Sequence, residues 1–232
     1  MTPNHPLDRP VWSALTGRQK ALARGGPDAV RIDPAMGVFL AGVDASDASV
    51  AAMGELIAAH PGSGVFEAEG SAMDALFPAG VTVANRIVCV QMHCSALSAA
   101  RARADLDVAP LGEADAAEML ALATLTRPGP YRERTHALGD FIGLRREGRL
   151  IAMAGQRLRV DGFIEISAVC THPDFRGQGL AAALMRLQAE RILAAGETPF
   201  LHAAHDNAAA VGLYESLGFR TRARIAYTVL TD

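Results

Sequence analysis

Four features of this chain have residue types and spacing that could do chemistry: a glycine-rich turn, an acid inside an apolar run, one tyrosine and three thiols. The turn is Arg176-Gly177-Gln178-Gly179-Leu180-Ala181. A glycine-rich turn between a strand and a helix start is a device for binding phosphate. Its glycines let backbone approach the ligand, and free N–H groups at the positive end of the helix dipole face the anion. The third glycine of a dinucleotide-binding G-x-G-x-x-G is missing, and so is the Gly-Lys-Ser/Thr of a P-loop.

The acid is Glu165, in the middle of Phe163–Thr171, where burial of a carboxylate is costly unless it is used or paired. The tyrosine is Tyr214, seven residues after Asn207, so both project from nearly one face of a helix. Asn207 is also a good N-cap, and Gly218 a good C-cap. The thiols, Cys89, Cys94 and Cys170, are odd in number and lack CxxC spacing, so no metal site is expected. Cys170 alternates to the opposite strand face from Val169 and has no His or Asp partner in its context, which argues against a nucleophile.

These residues need elements to hold them. Phe163–Thr171 is β-branched and apolar and reads as a strand; Leu180–Leu193 reads as a helix, with Leu180, Ala183, Leu184 and Leu187 at helical spacing. A helix over Glu113–Thr124 and a hairpin over 141–155, turning at Glu147-Gly148, precede them. A strand at Pro199–Ala203, a helix from Asn207 to Leu217 and a strand at Ala223–Leu230 follow. The first half alternates strands (Ala29–Ile32, Gly37–Leu40, Gly64–Glu67, Ile87–Met92) with a helix at Ser46–Ala59. The reading is therefore α/β with a mixed sheet, divided into an accessory domain over 1–105 and a catalytic domain over 106–232. The first half shows no catalytic motif, and no internal repeat shows in the letters.

Composition narrows the partners. Across 232 residues the net charge is −3, with no Lys/Arg-rich run carrying interleaved aromatics, so a nucleic-acid partner is not expected. No run of about 18 apolar residues occurs, so no membrane partner is expected. Met1–Pro10 lacks an apolar stretch of the secretory type, and a reducing, cytoplasmic setting is the expectation.

The second half, roughly 110–230, resembles the GNAT superfamily of acyl-CoA-dependent N-acyltransferases. Its pyrophosphate motif, Gln/Arg-x-x-Gly-x-Gly/Ala, is met by Arg176, Gly179 and Ala181. The resemblance implies a GNAT-type fold with acetyl-CoA as co-substrate. Its pyrophosphate would be held at Arg176, Gly177, Gln178, Gly179, Leu180 and Ala181, and its pantetheine arm along a bulged strand at Ala168, Val169 and Thr171. It further implies a cofactor contact at Asn207, with Tyr214 protonating the departing thiolate. Glu165, four residues before Val169, would be the base that takes the amine's proton through water, or else a structural ion pair or an anchor for the substrate ammonium.

The resemblance places the acceptor site near Arg127, Tyr131, Arg132, Arg134 and His136, a basic loop suited to a carboxylate-bearing amine. His202 reads as a packing residue. The motif-free first half is similar to the N-terminal domain of glycine N-acyltransferase-like proteins, which implies a degenerate copy of the same fold. The activity this implies is acetyl transfer to a primary amine, of a small molecule or amino acid before a protein. Two alternatives remain: a non-catalytic acyl-CoA sensor, and a protein Lys or N-terminal acetyltransferase.

Overall fold

Successive residues of a strand send side chains to opposite faces, and both faces of this sheet are covered by helices. The structure, a computed structural model, describes residues 5–74, 76–99 and 106–231. The helices are α1 (Pro10–Thr16), α2 (Asp47–Ala59), α3 (Ala116–Thr126), α4 (Leu180–Ala194) and α5 (Ala208–Leu217). The strands of the first half are β1 (Ala23–Gly25), β2 (Ala29–Ile32), β3 (Phe39–Gly42), β4 (Ser63–Ala68) and β5 (Thr82–His93). Those of the second are β6 (Val108–Leu111), β7 (Phe141–Arg146), β8 (Arg149–Val160), β9 (Phe163–Thr171), β10 (Thr198–Ala204) and β11 (Arg220–Thr231).

All eleven strands form one sheet in the order β1-β2-β3-β4-β11-β5-β10-β9-β8-β7-β6. The two halves repeat a pattern. Strands β1, β2 and β3 pair antiparallel, and α2 then returns the chain to β4, parallel to β3. Likewise β7, β8 and β9 pair antiparallel, and α4 leads to β10, parallel to β9. The final strands are exchanged: β5 lies against β10 of the second half, β11 against β4 of the first, and β5 and β11 pair antiparallel at the centre. The sequence division between 105 and 106 thus falls between halves that share a sheet. Residues 100–105 of that boundary lie outside the described residues.

The core follows the alternation. Val30, Phe39 and Phe66 face α1, whereas their neighbours Ala29, Leu40 and Val65 face Met53 and Ile57 of α2. In the second half Phe141, Leu150 and Met153 meet α3, whereas Ile142, Ile151 and Ala152 meet Leu180 and Leu184 of α4. Each of the buried Val, Leu, Ile, Phe and Met side chains among these contributes about 1.5–3 kcal/mol. Ser46 caps α2 by accepting from the Ser49 N–H, one residue inside the sequence-read start. Among the described residues, no helix is long and apolar enough to cross a membrane.

Candidate active site

Strand β9 carries the break that opens the site. Its register against β8 slips between Met153 and Gly155, and Ala168 adopts φ 54°, a left-handed value rare for alanine. This is a β-bulge. Strands β9 and β10 pair only through Phe163–Glu165 and Thr198–Phe200, and then diverge. The β10-facing edge of β9 past Glu165 has no strand partner, leaving backbone groups for an extended ligand to meet. Ala168 itself is buried among Met153 and Cys170, so its backbone, not its methyl, shapes the cleft. The Thr171 hydroxyl at the cleft wall is buried and has no protein partner.

At the end of β9 the chain turns through the glycine segment. Gly177 and Gly179 take φ 75° and 73°, a region that favours glycine. Gly179 is the N-cap of α4 and no side chain caps that helix, so its first N–H groups face outward. Arg176, Gly177, Gly179, Leu180 and Ala181 line a cleft of about 590 Å³ together with Val169 and Thr171. Gln178 is exposed and does not line it. These are the groups a pyrophosphate requires, and the cleft continues along the open β9 edge, so the residues present fit a CoA ester.

Asn207 caps α5 through Oδ1, which accepts from the Ala210 N–H at 3.1 Å. It lines the cleft and also a second chamber of about 420 Å³. Arg127, Pro128, Val169 and Ala210 likewise border both spaces. The two therefore meet beside Val169 and Asn207. Tyr214 lines the chamber on the same side, packed against Phe219 with ring centroids 6.3 Å apart. Burial raises its phenol above the ordinary value, which keeps it protonated.

The chamber's far wall comes from the first half: Phe39, Phe66, Ile87 and Cys89, with Tyr227 of β11 beside them. Its floor holds Arg157 and His202. Behind them lies Glu165, with no exposed surface. Arg157 donates to both of its oxygens, Nε to Oε2 at 2.8 Å and Nη2 to Oε1 at 2.6 Å. His202 Nδ1 lies 2.7 Å from Oε1. Gln91 donates from Nε2 to the Leu7 carbonyl and accepts from Arg222 at Oε1. That fixes its amide as a donor toward His202 Nε2, 3.0 Å away. The network thereby assigns the imidazole proton to Nδ1, facing Glu165. Burial holds the His202 pKa below its usual value, so the ring is neutral.

Several expectations change here. Burial alone would raise the Glu165 pKa, but the Arg157 guanidinium, with help from His202, brings it down to about 2. Such a carboxylate lines neither cavity and has no affinity for an ammonium proton near neutral pH. The environment is that of a structural ion pair, not of a general base. His202 is more than packing, since it fixes one oxygen of Glu165 and lines the chamber.

Of the acceptor-loop residues, Arg127 reaches the chamber. Tyr131 packs edge-on against Phe141, and His136 is buried with Nε2 2.9 Å from Glu113 Oε2. Arg132 and Arg134 are exposed and line neither space. Cys89 and Cys170 face the two spaces as thiols, since burial pushes each up to about 11.

Residues 141–228 match the FR47-like protein family. A protein of the GNAT acetyltransferase family from Novosphingobium aromaticivorans DSM 12444 shares 39% identity, with 99% of each chain covered and a TM-score of 0.88. The chain belongs to the GNAT family. Its fold also matches a GCN5-related N-acetyltransferase from Kribbella flavida, at 17% identity, 96% and 95% coverage and TM-score 0.67. A GCN5-related N-acetyltransferase-like protein from Streptococcus suis 89/1591 matches at 17% identity, 94% and 92% coverage and TM-score 0.58. None of the curated proteins matches this GNAT chain.

Proposed function

We propose that this GNAT protein transfers an acetyl group from acetyl-CoA to the primary amine of a small molecule by direct attack. The observation that carries the reading is the meeting of the two spaces at Val169 and Asn207. The cleft has the form required by the CoA arm, and the chamber that of a separate acceptor. The glycine turn would hold the pyrophosphate, the open edge at Val169 and Thr171 the pantetheine amides, and Asn207 a polar group of the arm. A β9 N–H near Val169 would stabilise the oxyanion. Tyr214 would protonate the departing thiolate. The acceptor loses its proton to water in the chamber. Enclosure by Phe39 and Phe66 favours a small amine over a protein chain.

The repeated strand pattern supports reading the first half as a degenerate copy of the second. It keeps the fold but has lost the turn: after β3 the chain runs Val43-Asp44-Ala45-Ser46, without glycines. Arg9 instead donates to the carbonyls of Gly42 and Val43 there. The buried free cysteines are consistent with a cytoplasmic setting. Calorimetric titration with acetyl-CoA, paired with thiol release against a panel of amines, tests the reading. Saturable binding and amine-dependent release are expected, and absence of binding refutes it.

A further inference from the structure

The chamber is selective in charge and in shape. Its fixed charges are the guanidinium groups of Arg127 and Arg157, and among the described residues no Asp or Glu lines it. Glu165, behind the floor, has both oxygens engaged by Arg157 and His202. Arg157 gives Nε and Nη2 to that carboxylate, and among the described residues its Nη1 makes no hydrogen bond. Its guanidinium lies over the Phe39 ring at 4.6 Å and keeps 7% exposure at the chamber floor.

This is a cation held rigidly on one side, with one nitrogen left to offer. The surrounding walls are aromatic: Phe66 stands edge-on to Tyr227 at 5.3 Å and tilts against Phe39 at 5.7 Å. A polyamine, an aminoglycoside or a Lys-rich peptide would bring further cations beside two arginines, with no carboxylate among the described lining residues to offset them.

We infer that the acceptor is a free apolar α-amino acid, aromatic or branched, whose carboxylate is met by Arg157. The inference rests on the acetyltransferase reading and deepens it. The acceptor side chain lies among Phe39, Phe66 and Tyr227, and the amine points to the junction beside Val169 and Asn207. The nitrogen bonds to the acyl carbon as the carbon–sulfur bond breaks. Of the three ammonium protons, one goes to solvent, one reaches sulfur by way of Tyr214, and one stays on the amide.

Thiol release from acetyl-CoA is measured with phenylalanine, leucine and isoleucine, with their amides and decarboxylated amines, and with spermidine and an aminoglycoside. Acetyl-CoA affinity is measured in parallel by calorimetry. The free amino acids should exceed their amides in kcat/KM by about 10- to 100-fold, the worth of one charge-assisted hydrogen bond, and the polycations should give no turnover. Arg157→Lys should raise KM for the amino acids about tenfold or more with acetyl-CoA affinity unchanged.

Phe39→Leu, which leaves the buried ion pair in place, should raise KM for phenylalanine more than for leucine. If Arg157→Lys fails to fold, that variant and the wild-type acid-to-amide ratio decide. Equal rates with acid and amide, preference for a polycation, or no turnover by a protein that binds acetyl-CoA overturns the inference and leaves CoA binding intact. Failure to bind acetyl-CoA overturns the acetyltransferase reading first, and this one with it.

Discussion

Glu165→Gln separates a buried ion pair from a general base. Glutamine keeps the shape but presents one NH₂ where Arg157 and His202 both point donors. Arg157 is then a buried cation without its partner, a change that costs about 3–5 kcal/mol. The pKa offers a second route to the magnitude. A folded value of about 2 against an ordinary 4.5 corresponds to about 3 kcal/mol. For a chain of this length that should lower Tm by about 10 °C, read by calorimetry or urea melts.

The pH dependence has a definite sign. Because the folded pKa is depressed, this stabilisation is present above about 4.5 and is lost as pH falls toward 2. The wild type should therefore weaken across that window, and Glu165→Gln should lack that component. With a catalytic base the pattern reverses: stability holds, and kcat falls by about 10²-fold or more while the acidic limb of its pH profile disappears. Full stability with a kcat-only loss would refute the structural assignment.

Tyr214→Phe should lower kcat by about 10²-fold with acetyl-CoA affinity unchanged, read by thiol release and calorimetry; unchanged turnover would remove Tyr214 from the acid role, and acetyl-CoA binding without turnover by the wild type would favour a sensor. Gly179→Val places a branched residue at φ 73° and should weaken acetyl-CoA binding by tenfold or more, since the strain of about 1–2 kcal/mol falls on the turn itself. Cys89→Ala and Cys170→Ala should leave the chemical step within about threefold of wild type, and iodoacetamide at pH 7.5 should label neither thiol quickly, because both titrate near 11. Loss of all turnover in either variant would point to a covalent route.

The cleft was legible from the letters because its requirements are local. Two glycines with positive φ, an uncapped helix start and a β-branched strand occupy seventeen consecutive positions, from Phe163 to Gly179. Asn207 and Tyr214 were legible for the same reason, lying two turns apart on nearly one helix face. What failed was longer in range or weaker in pattern. Helix α1 and strands β1 and β6 are short, and β6 carries Pro110, opposite Ile142 in an edge strand, where a missing N–H is tolerated.

The hairpin reading stopped at Gly155, where glycine is needed because a Cβ would come 2.2 Å from the Phe141 ring. Strand β8 in fact runs on to Val160. A regular turn at Asp161-Gly162 would have set Leu158, not Arg157, opposite Glu165; the register shift between Gln156 and Arg159 brings the pair together, and no residue pattern announces it. Nor had the first-half wall of the chamber any such signal.

That wall exists because the halves trade their last strands. A repeat that kept β5 beside β4 and β11 beside β10 would close each half on itself, with an aromatic face on one and a CoA cleft on the other. The exchange puts Cys89 of β5 opposite Ala204 of β10, and Tyr227 of β11 between Ile87 of β5 and Phe66 of β4. It also makes β5 the shared partner of β10 and β11, so removing it would bare one edge of each. In the reading proposed above, a copy that lost its phosphate turn lost its own cofactor but not its use. Its face became the acceptor wall of the half that kept the turn, and Arg157, held from behind by the fully buried Glu165, fixes the floor on which that wall acts.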